Sequence, residues 1–200
     1  MKSTALRAIV AAATLSATTL GQAADLSGVP SGNYAVDPTH AYVTFTYNHL
    51  GLSNPVLSFD DFAIDMNFDS EDPTKTTVAV TIDANSIVAG SDIWKSHLIG
   101  DKFFDTAKHP EITFNSTSVE AARDGNYTVM GDLTIKGETK PVSINVVINA
   151  AMNHPMSGTP VIGLEASSEL MRSEFGMKAA IPHVSDEVAL NITAEMVKSE

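Results

Sequence analysis

The chain contains no cysteine. Disulfide bonds, thiolate metal ligands and a cysteine nucleophile are therefore excluded. Basic residues are also scarce: 12 Lys and Arg stand against 24 Asp and Glu, and the formal net charge is −12. A surface of that sign repels nucleic acid and anionic lipid headgroups, so we expect no nucleic-acid partner.

Recognisable catalytic and metal-binding motifs are missing as well. The sequence has no G-x-S-x-G, no Walker-type glycine loop and no G-x-G-x-x-G. Its histidines show neither an H-x-H nor an H-E-x-x-H spacing. His40 and His49 are nine residues apart, so on one regular strand they would face opposite sides about 30 Å apart. We expect no catalytic residues, no bound metal and no cofactor, although a site assembled from distant histidines stays open.

Residues 1–23 have the layout of a secretory signal peptide. Two basic residues precede an uncharged apolar stretch at 8–20, and the small residues Ala23 and Ala24 follow. The stretch is shorter than the roughly 20 apolar residues of a membrane-spanning helix, and no second such segment follows. We therefore expect cleavage after Ala23, one exported domain at 24–200 in the periplasm, and no stable membrane insertion. Cleavage would change the formal net charge from −12 to −14, because it removes two basic residues and no acidic ones.

The rest of the chain alternates apolar and polar residues. Val43, Phe45 and Tyr47 alternate with small polar residues, which is the period of a strand with one apolar face. Similar runs recur and predict eight or nine strands. The Lys136-Gly137 connection favours a tight hairpin and hence antiparallel pairing. This pattern fits a sandwich and a closed barrel equally.

One segment, at 91–105, departs from this alternation. Its large residues Ile93, Trp94, His97 and Leu98 would share one face of a helix. Residues suited to an N-cap stand directly before them. We predict one short helix in an otherwise all-β chain.

Four blocks of the sequence follow one another in an order typical of one family: DPTHAYVTFTYNHLGLS, KSHLIGDKFFDTAKHPEITFNSTSVE, GDLTIKGETKPVSI and MRSEFGM. Together they resemble the YceI-like family of exported polyisoprenoid-binding proteins, over about residues 34–196. The resemblance implies an all-β fold, a lipocalin-like antiparallel β-barrel of about eight strands with one short helix. It also implies an elongated apolar cavity for a polyisoprenoid, or for a similar amphiphile such as a quinone or a fatty amide. No catalytic residues come with the resemblance.

The resemblance and the apolar pattern together identify candidate ligand-binding residues. We expect the cavity wall to include Phe45, Phe59, Phe62, Ile64, Trp94, Leu98, Phe103, Phe114, Phe175 and Met177. We expect polar contacts near the ligand headgroup from His49, His97 and Arg172.

These features favour a periplasmic carrier for a long-chain isoprenoid or similar lipid, with no turnover. Two alternatives stay open. The first is an enzyme that acts on a small amphiphile in the same barrel, with His49 or His97 as its acid or base. The second is an envelope stress-response or interaction module with a solid core. The sequence also leaves open which lipid binds and whether the protein forms a homodimer.

Overall fold

The computed structural model describes residues 24–199, which are mostly strand with one short α-helix. The predicted signal peptide at 1–23 lies outside the described residues and stays a prediction. The elements are β1 (Gly32–His49), β2 (Val56–Phe59), β3 (Phe62–Phe68), β4 (Thr77–Asp83), β5 (Ile87–Val88), α1 (Asp92–Leu98), β6 (Glu111–Ala121), β7 (Asn126–Ile135), β8 (Glu138–Asn153), β9 (Pro160–Met171) and β10 (Val184–Lys198). No helix in the described part of the chain has both the length and the apolar character to cross a membrane.

The strands close into an antiparallel barrel. Neighbours around it are β1, β3, β4, β6, β7, β8, β9 and β10, and β10 pairs back onto β1. The short β2 and β5 continue the positions of β3 and β4, since β1 pairs with β3 through residues 32–35 and with β2 through residues 43–46. The ring thus has eight positions, as expected for a lipocalin-like barrel, and the sandwich alternative is wrong.

The long first strand bends where the ladder is interrupted. The register between β1 and β10 shifts between Val36 and Ala41. Pro38 lies in this interval and has no N–H to donate to a ladder. The Asp37 carboxylate instead accepts a hydrogen bond from the backbone N–H of Thr39 at 2.8 Å. Such irregularities bend a strand and increase its twist, which helps β1 to border two different partners.

Helix α1 follows its predicted position, but its buried face is narrower than expected. The Ser91 hydroxyl caps the helix by accepting from the backbone N–H of Trp94 at 3.3 Å. Trp94 is half-buried and Leu98 is buried, whereas Ile93 is 75% exposed and His97 is exposed. Residues four positions apart are neighbours on a helix surface, so Trp94 lies beside Leu98, and Ile93 lies beside His97. Only Trp94 and Leu98 face the barrel.

The hairpin between β7 and β8 confirms the turn prediction. Ile135 pairs with Glu138, which leaves a two-residue loop. Lys136 and Gly137 both have positive φ, at 52° and 77°, as a type I′ turn requires.

The interior holds two apolar clusters rather than one. The first surrounds Val43, Phe59 and Phe175, and the second surrounds Tyr34 and Met196. Both arise from the same alternation, because every second residue of a barrel strand points inward.

Candidate ligand cavity

The first cluster encloses a cavity of about 520 Å³, which we call the wide cavity. Residues from β1, α1, the loop after α1 and β7 contribute to its wall, as do the ends of β9 and β10. His49 lies at its exposed rim. Nearly all of the wall is apolar.

The second cluster surrounds a much smaller space of about 100 Å³, which we call the narrow cavity. Met66, Phe68, Ile162 and Met196 contribute to its wall and are themselves buried. Side chains therefore fill most of this half of the barrel.

Aromatic rings stiffen the wall of the wide cavity. Phe45 stacks on Phe59 with their centroids 5.6 Å apart, and Phe104 meets Phe59 edge-on at 5.7 Å. Trp94 meets Phe103 edge-on at 5.6 Å. Aromatic pairs of this kind contribute about 0.5–1.5 kcal/mol each beyond the area they bury. Packed rings therefore support the wall of the wide cavity.

Arg172 brings a positive charge to this apolar wall. Its side chain is 7% exposed and lies in the turn Arg172–Phe175. The guanidinium donates to three backbone carbonyls, those of Ser185 at 2.8 Å, Met177 at 2.6 Å and Val184 at 3.1 Å. These bonds fasten the segment after β9 to the start of β10.

No carboxylate within residues 24–199 forms an ion pair with Arg172. Burial lowers the pKa of the Arg172 guanidinium, and the charge of Asp186 acts in the opposite direction. The Asp186 carboxylate is itself engaged by Ser173, whose backbone N–H and hydroxyl donate to it at 2.8 and 2.6 Å. Arg172 therefore keeps its charge beside the cavity without a directly bound anion.

Comparison with known proteins identifies the family. The model of the YceI-like domain matches residues 34–196. The chain belongs to the YceI-like family. A UPF0312 protein of Yersinia pestis (strain Pestoides F) is 34% identical over 170 residues, which cover 84% of this chain and 88% of that protein.

Solved structures agree with the architecture. The YceI protein of Campylobacter jejuni is 27% identical, with a TM-score of 0.68, and the match covers 76% of this chain and 90% of that one. A polyisoprenoid binding domain from Saccharophagus degradans has a TM-score of 0.63 at 14% identity, over 84% of this chain and 99% of that one. At that identity the second likeness concerns the fold alone.

In this YceI-like chain, most of the predicted ligand-binding residues meet at the wide cavity. The ones on its wall are Phe45, His49, Phe59, Trp94, Leu98, Phe103, Arg172, Phe175 and Met177. Ile64 and Phe114 line the narrow cavity instead.

Two predicted residues lie on neither cavity wall. Phe62 is half-buried and packs against both apolar clusters, which places it between the two halves of the barrel. His97 is exposed on α1, and its ring stands edge-on to Trp94 with a centroid distance of 5.9 Å. The expected headgroup contact from His97 is therefore not supported by its position, because Trp94 is the residue of α1 that faces the cavity beside Leu98.

Several wall residues were not among the predicted site residues. They include Tyr47, Phe104, Leu133, Ile135, Leu170 and Leu190. Tyr47 belongs to the predicted apolar face of β1, and Leu133 and Ile135 alternate with polar neighbours in the same way. The period of two thus contained the signal for these three residues.

A separate cluster lies on the outer surface, where β1 meets β10. The His40 Nδ1 atom is 3.0 Å from Asp37 Oδ2 and 4.0 Å from Glu195 Oε2. Spacing of histidines could not reveal this group, because Glu195 comes from the last strand. The hydrogen bonds from His40 and Thr39 hold the pKa of Asp37 at about 2, and Asp37 raises the pKa of His40. Asp37 and His40 both belong to β1, and Glu195 of β10 lies beside them, so the cluster stands where the two strands close the barrel; we assign no metal to it.

Proposed function

We propose that this protein is an exported, periplasmic carrier that binds a long-chain isoprenoid or similar amphiphile without turnover. The wide cavity is the observation that carries the proposal. Its volume of about 520 Å³ falls within the range of about 300–1,000 Å³ that is usual for ligand sites. An apolar wall of this size favours a hydrocarbon tail over a polar metabolite.

The energetics suit a lipid tail of moderate length. Each buried methylene contributes about 0.8 kcal/mol. Ten of them would contribute about 8 kcal/mol before the cost of association is subtracted. Tight binding therefore needs no specific contact along the tail, which agrees with the lack of a sharp sequence motif.

The residues on the wall support binding rather than turnover. Acid or base catalysis by His49 would need a second group to orient it or to complete proton transfer. Among residues 24–199, the wall of the wide cavity has no carboxylate, thiol or aliphatic hydroxyl to act with His49, and its other polar groups are Tyr47, Trp94 and Arg172. The cavity likewise argues against an interaction module with a solid core. A polyisoprenoid binding domain from another organism has the same fold, which makes polyisoprenoids one ligand class to test.

The experiment begins with the full chain, expressed with its leader and purified without detergent. Native mass spectrometry and solvent extraction should detect about one amphiphile per chain. Intact mass should show cleavage after Ala23 in the periplasmic fraction. The proposal fails if no amphiphile is extracted and if the protein also binds none of an added fatty amide, quinone or polyprenol.

Two tryptophan variants on β10 make the test specific to the cavity. Leu190→Trp fills part of the wide cavity, because Leu190 lies on its wall. Asn191→Trp adds the same group on the exposed outer face one residue along. We expect the first variant to retain less lipid than the wild type and the second to retain an equal amount. Equal retention by both variants would show that the lipid binds elsewhere.

A further inference from the structure

The few polar groups on the wall of the wide cavity are not scattered. Tyr47 comes from β1, Trp94 from α1 and Arg172 from the turn after β9, and all three line the same cavity. Apart from His49 at the rim, the other wall residues are apolar. A polar group is costly on an apolar wall unless it has a partner, so a convergence of three such groups points to a ligand.

Arg172 has hydrogen-bonding capacity left over. A guanidinium carries five N–H donors, and the three carbonyl bonds of Arg172 use one at each nitrogen. These bonds are explained by the link they form between the segment after β9 and the start of β10. That link does not explain why the charged group lies on the wall of a cavity with no carboxylate in its lining. None of the acidic residues within 24–199 lies on this wall.

Tyr47 and Trp94 line the same cavity as this charge. Burial raises the pKa of the Tyr47 phenol, while the Trp94 side chain and the Arg172 charge lower it. The Trp94 indole and the Arg172 guanidinium can only donate hydrogen bonds, whereas the Tyr47 phenol can donate or accept one. The wall therefore offers a phenol and a guanidinium as donors at one place, beside an indole.

We propose that Tyr47, Trp94 and Arg172 form a subsite for an oxygen-bearing headgroup, which binds a carboxylate or phosphate more tightly than a neutral carbonyl. A cationic headgroup would face the Arg172 charge and bind weakly. This inference rests on the proposed lipid-binding function and adds the chemical class of the headgroup. The tail would then extend from the subsite along the apolar wall toward Leu133 and Leu190.

The test uses amphiphiles that share one sixteen-carbon chain. Delipidated full-chain protein is loaded with the neutral dye N-phenyl-1-naphthylamine, which is then displaced below the micelle concentration by palmitate, hexadecyl phosphate, palmitamide or hexadecyltrimethylammonium. We expect the two anions to bind about tenfold or more tightly than the trimethylammonium compound, because the anions accept charge-assisted hydrogen bonds, whereas the trimethylammonium group accepts none and is repelled by the Arg172 charge. Palmitamide should lie between them. Comparison of palmitate with hexadecyl phosphate distinguishes the two sources of the anionic oxygen.

A pair of variants on β1 assigns the preference to the subsite. Tyr47→Phe removes only a hydroxyl from the wall, and we expect it to weaken anion binding about threefold to tenfold. Its effect on the trimethylammonium compound should be small. Tyr42→Phe makes the same change on the outer face, where Tyr42 is 60% exposed, and should leave all four affinities unchanged.

The outcomes separate this inference from the proposed function. Equal affinity for all four headgroups would overturn the subsite and leave the lipid carrier in place. A Tyr47→Phe variant that loses affinity equally for all four compounds would also overturn it, because that result indicates a structural role. If none of the amphiphiles displaces the dye or binds directly, the carrier and the subsite both fail.

Discussion

The two halves of the barrel interior are built by the same strands and the same alternation, yet one is filled and the other is hollow. On β10, Val188 and Leu190 line the wide cavity of about 520 Å³, whereas Ile192 and Met196 line the narrow one of about 100 Å³. On β6, Ile112 belongs to the first and Phe114 to the second. Alternation therefore determines which residues face inward. It does not determine whether those side chains pack against one another or leave a cavity.

The difference follows from what covers each end. In the filled half, the Tyr34 and Phe68 rings meet edge-on at 5.9 Å, and the Tyr34 hydroxyl donates to the Pro30 carbonyl at 2.7 Å. Large buried side chains thus occupy this half of the barrel. In the hollow half, α1 and the loop after it contribute aromatic residues to the wall. These residues line a space of about 520 Å³ instead of filling it.

The largest expected effect is the difference in stability lost when the same charge is introduced into each half of the barrel. Met196 is 0% exposed, so Met196→Asp buries a carboxylate in a filled core and should cost at least about 4 kcal/mol, or roughly 10 °C or more in melting temperature. Leu190→Asp places the same charge on the same strand beside a cavity that water can enter once lipid leaves. We expect it to lose less than half as much stability and to lose its lipid. Thermal melting measures the stability of the two variants, and solvent extraction measures their bound lipid. An equal fall in melting temperature for both variants would contradict the comparison.

A smaller effect should appear at the boundary between the halves. A Cβ at Gly131 would lie against the Phe114 ring and 2.6 Å from the Asn115 carbonyl oxygen. Gly131→Ala should therefore cost about 1–3 kcal/mol as an overpacking change. At Gly163, also in a strand, the nearest atom to a new Cβ is the Ala150 carbonyl oxygen at 4.0 Å. Gly163→Ala should be neutral or slightly stabilising in urea titration.

Local sequence was sufficient to predict the strands and the hairpin, but barrel closure depends on distant pairs. Phe45 lies opposite Leu190 in the register of β1 and β10. No local pattern reveals that pairing, so the barrel was preferred over the sandwich only through the family resemblance. The strands β2 and β5 were missed because four and two residues are too short to show a period.

The site was predictable by residue type and less so by position. Phe59 and Phe114 have the same inward pattern, yet the Phe114 ring lies over Gly131 and so reaches the narrow half. That placement depends on a glycine in a neighbouring strand, which alternation does not show. Trp94 and His97 were expected to share a face, and the choice between them depended on how α1 lies against the barrel.

The smallest expected effect concerns the outer surface, where Asp37 and His40 lie at the closing seam. The pKa of His40 is raised in the folded protein, so its contribution to stability is present below about pH 6.5 and is lost as pH rises through the raised value. The pKa of Asp37 is lowered to about 2, so its contribution is present above about pH 4 and is lost as pH falls toward 2. The stabilisation should be greatest between these limits.

Melting curves of the wild type and of His40→Ala test this window. The difference in melting temperature should be largest near pH 5 and should shrink toward pH 8 and pH 2. Thr193→Ala, at an exposed position of β10 with no ionisable side chain, is the control and should show no such window. A His40→Ala difference that is constant across the range would contradict the assignment. The His40→Ala substitution should not alter lipid binding, since Asp37, His40 and Glu195 line neither the wide nor the narrow cavity.

The most direct measurement is a crystal structure of the delipidated protein reloaded with 16-bromohexadecanoic acid, with the bromine located by anomalous scattering. Our account predicts one bromine inside the wide cavity, beside Leu133 and Leu190, with the carboxylate near Arg172. A bromine in the narrow cavity or on the outer face of the sheet, with the wide cavity occupied only by solvent, would contradict it.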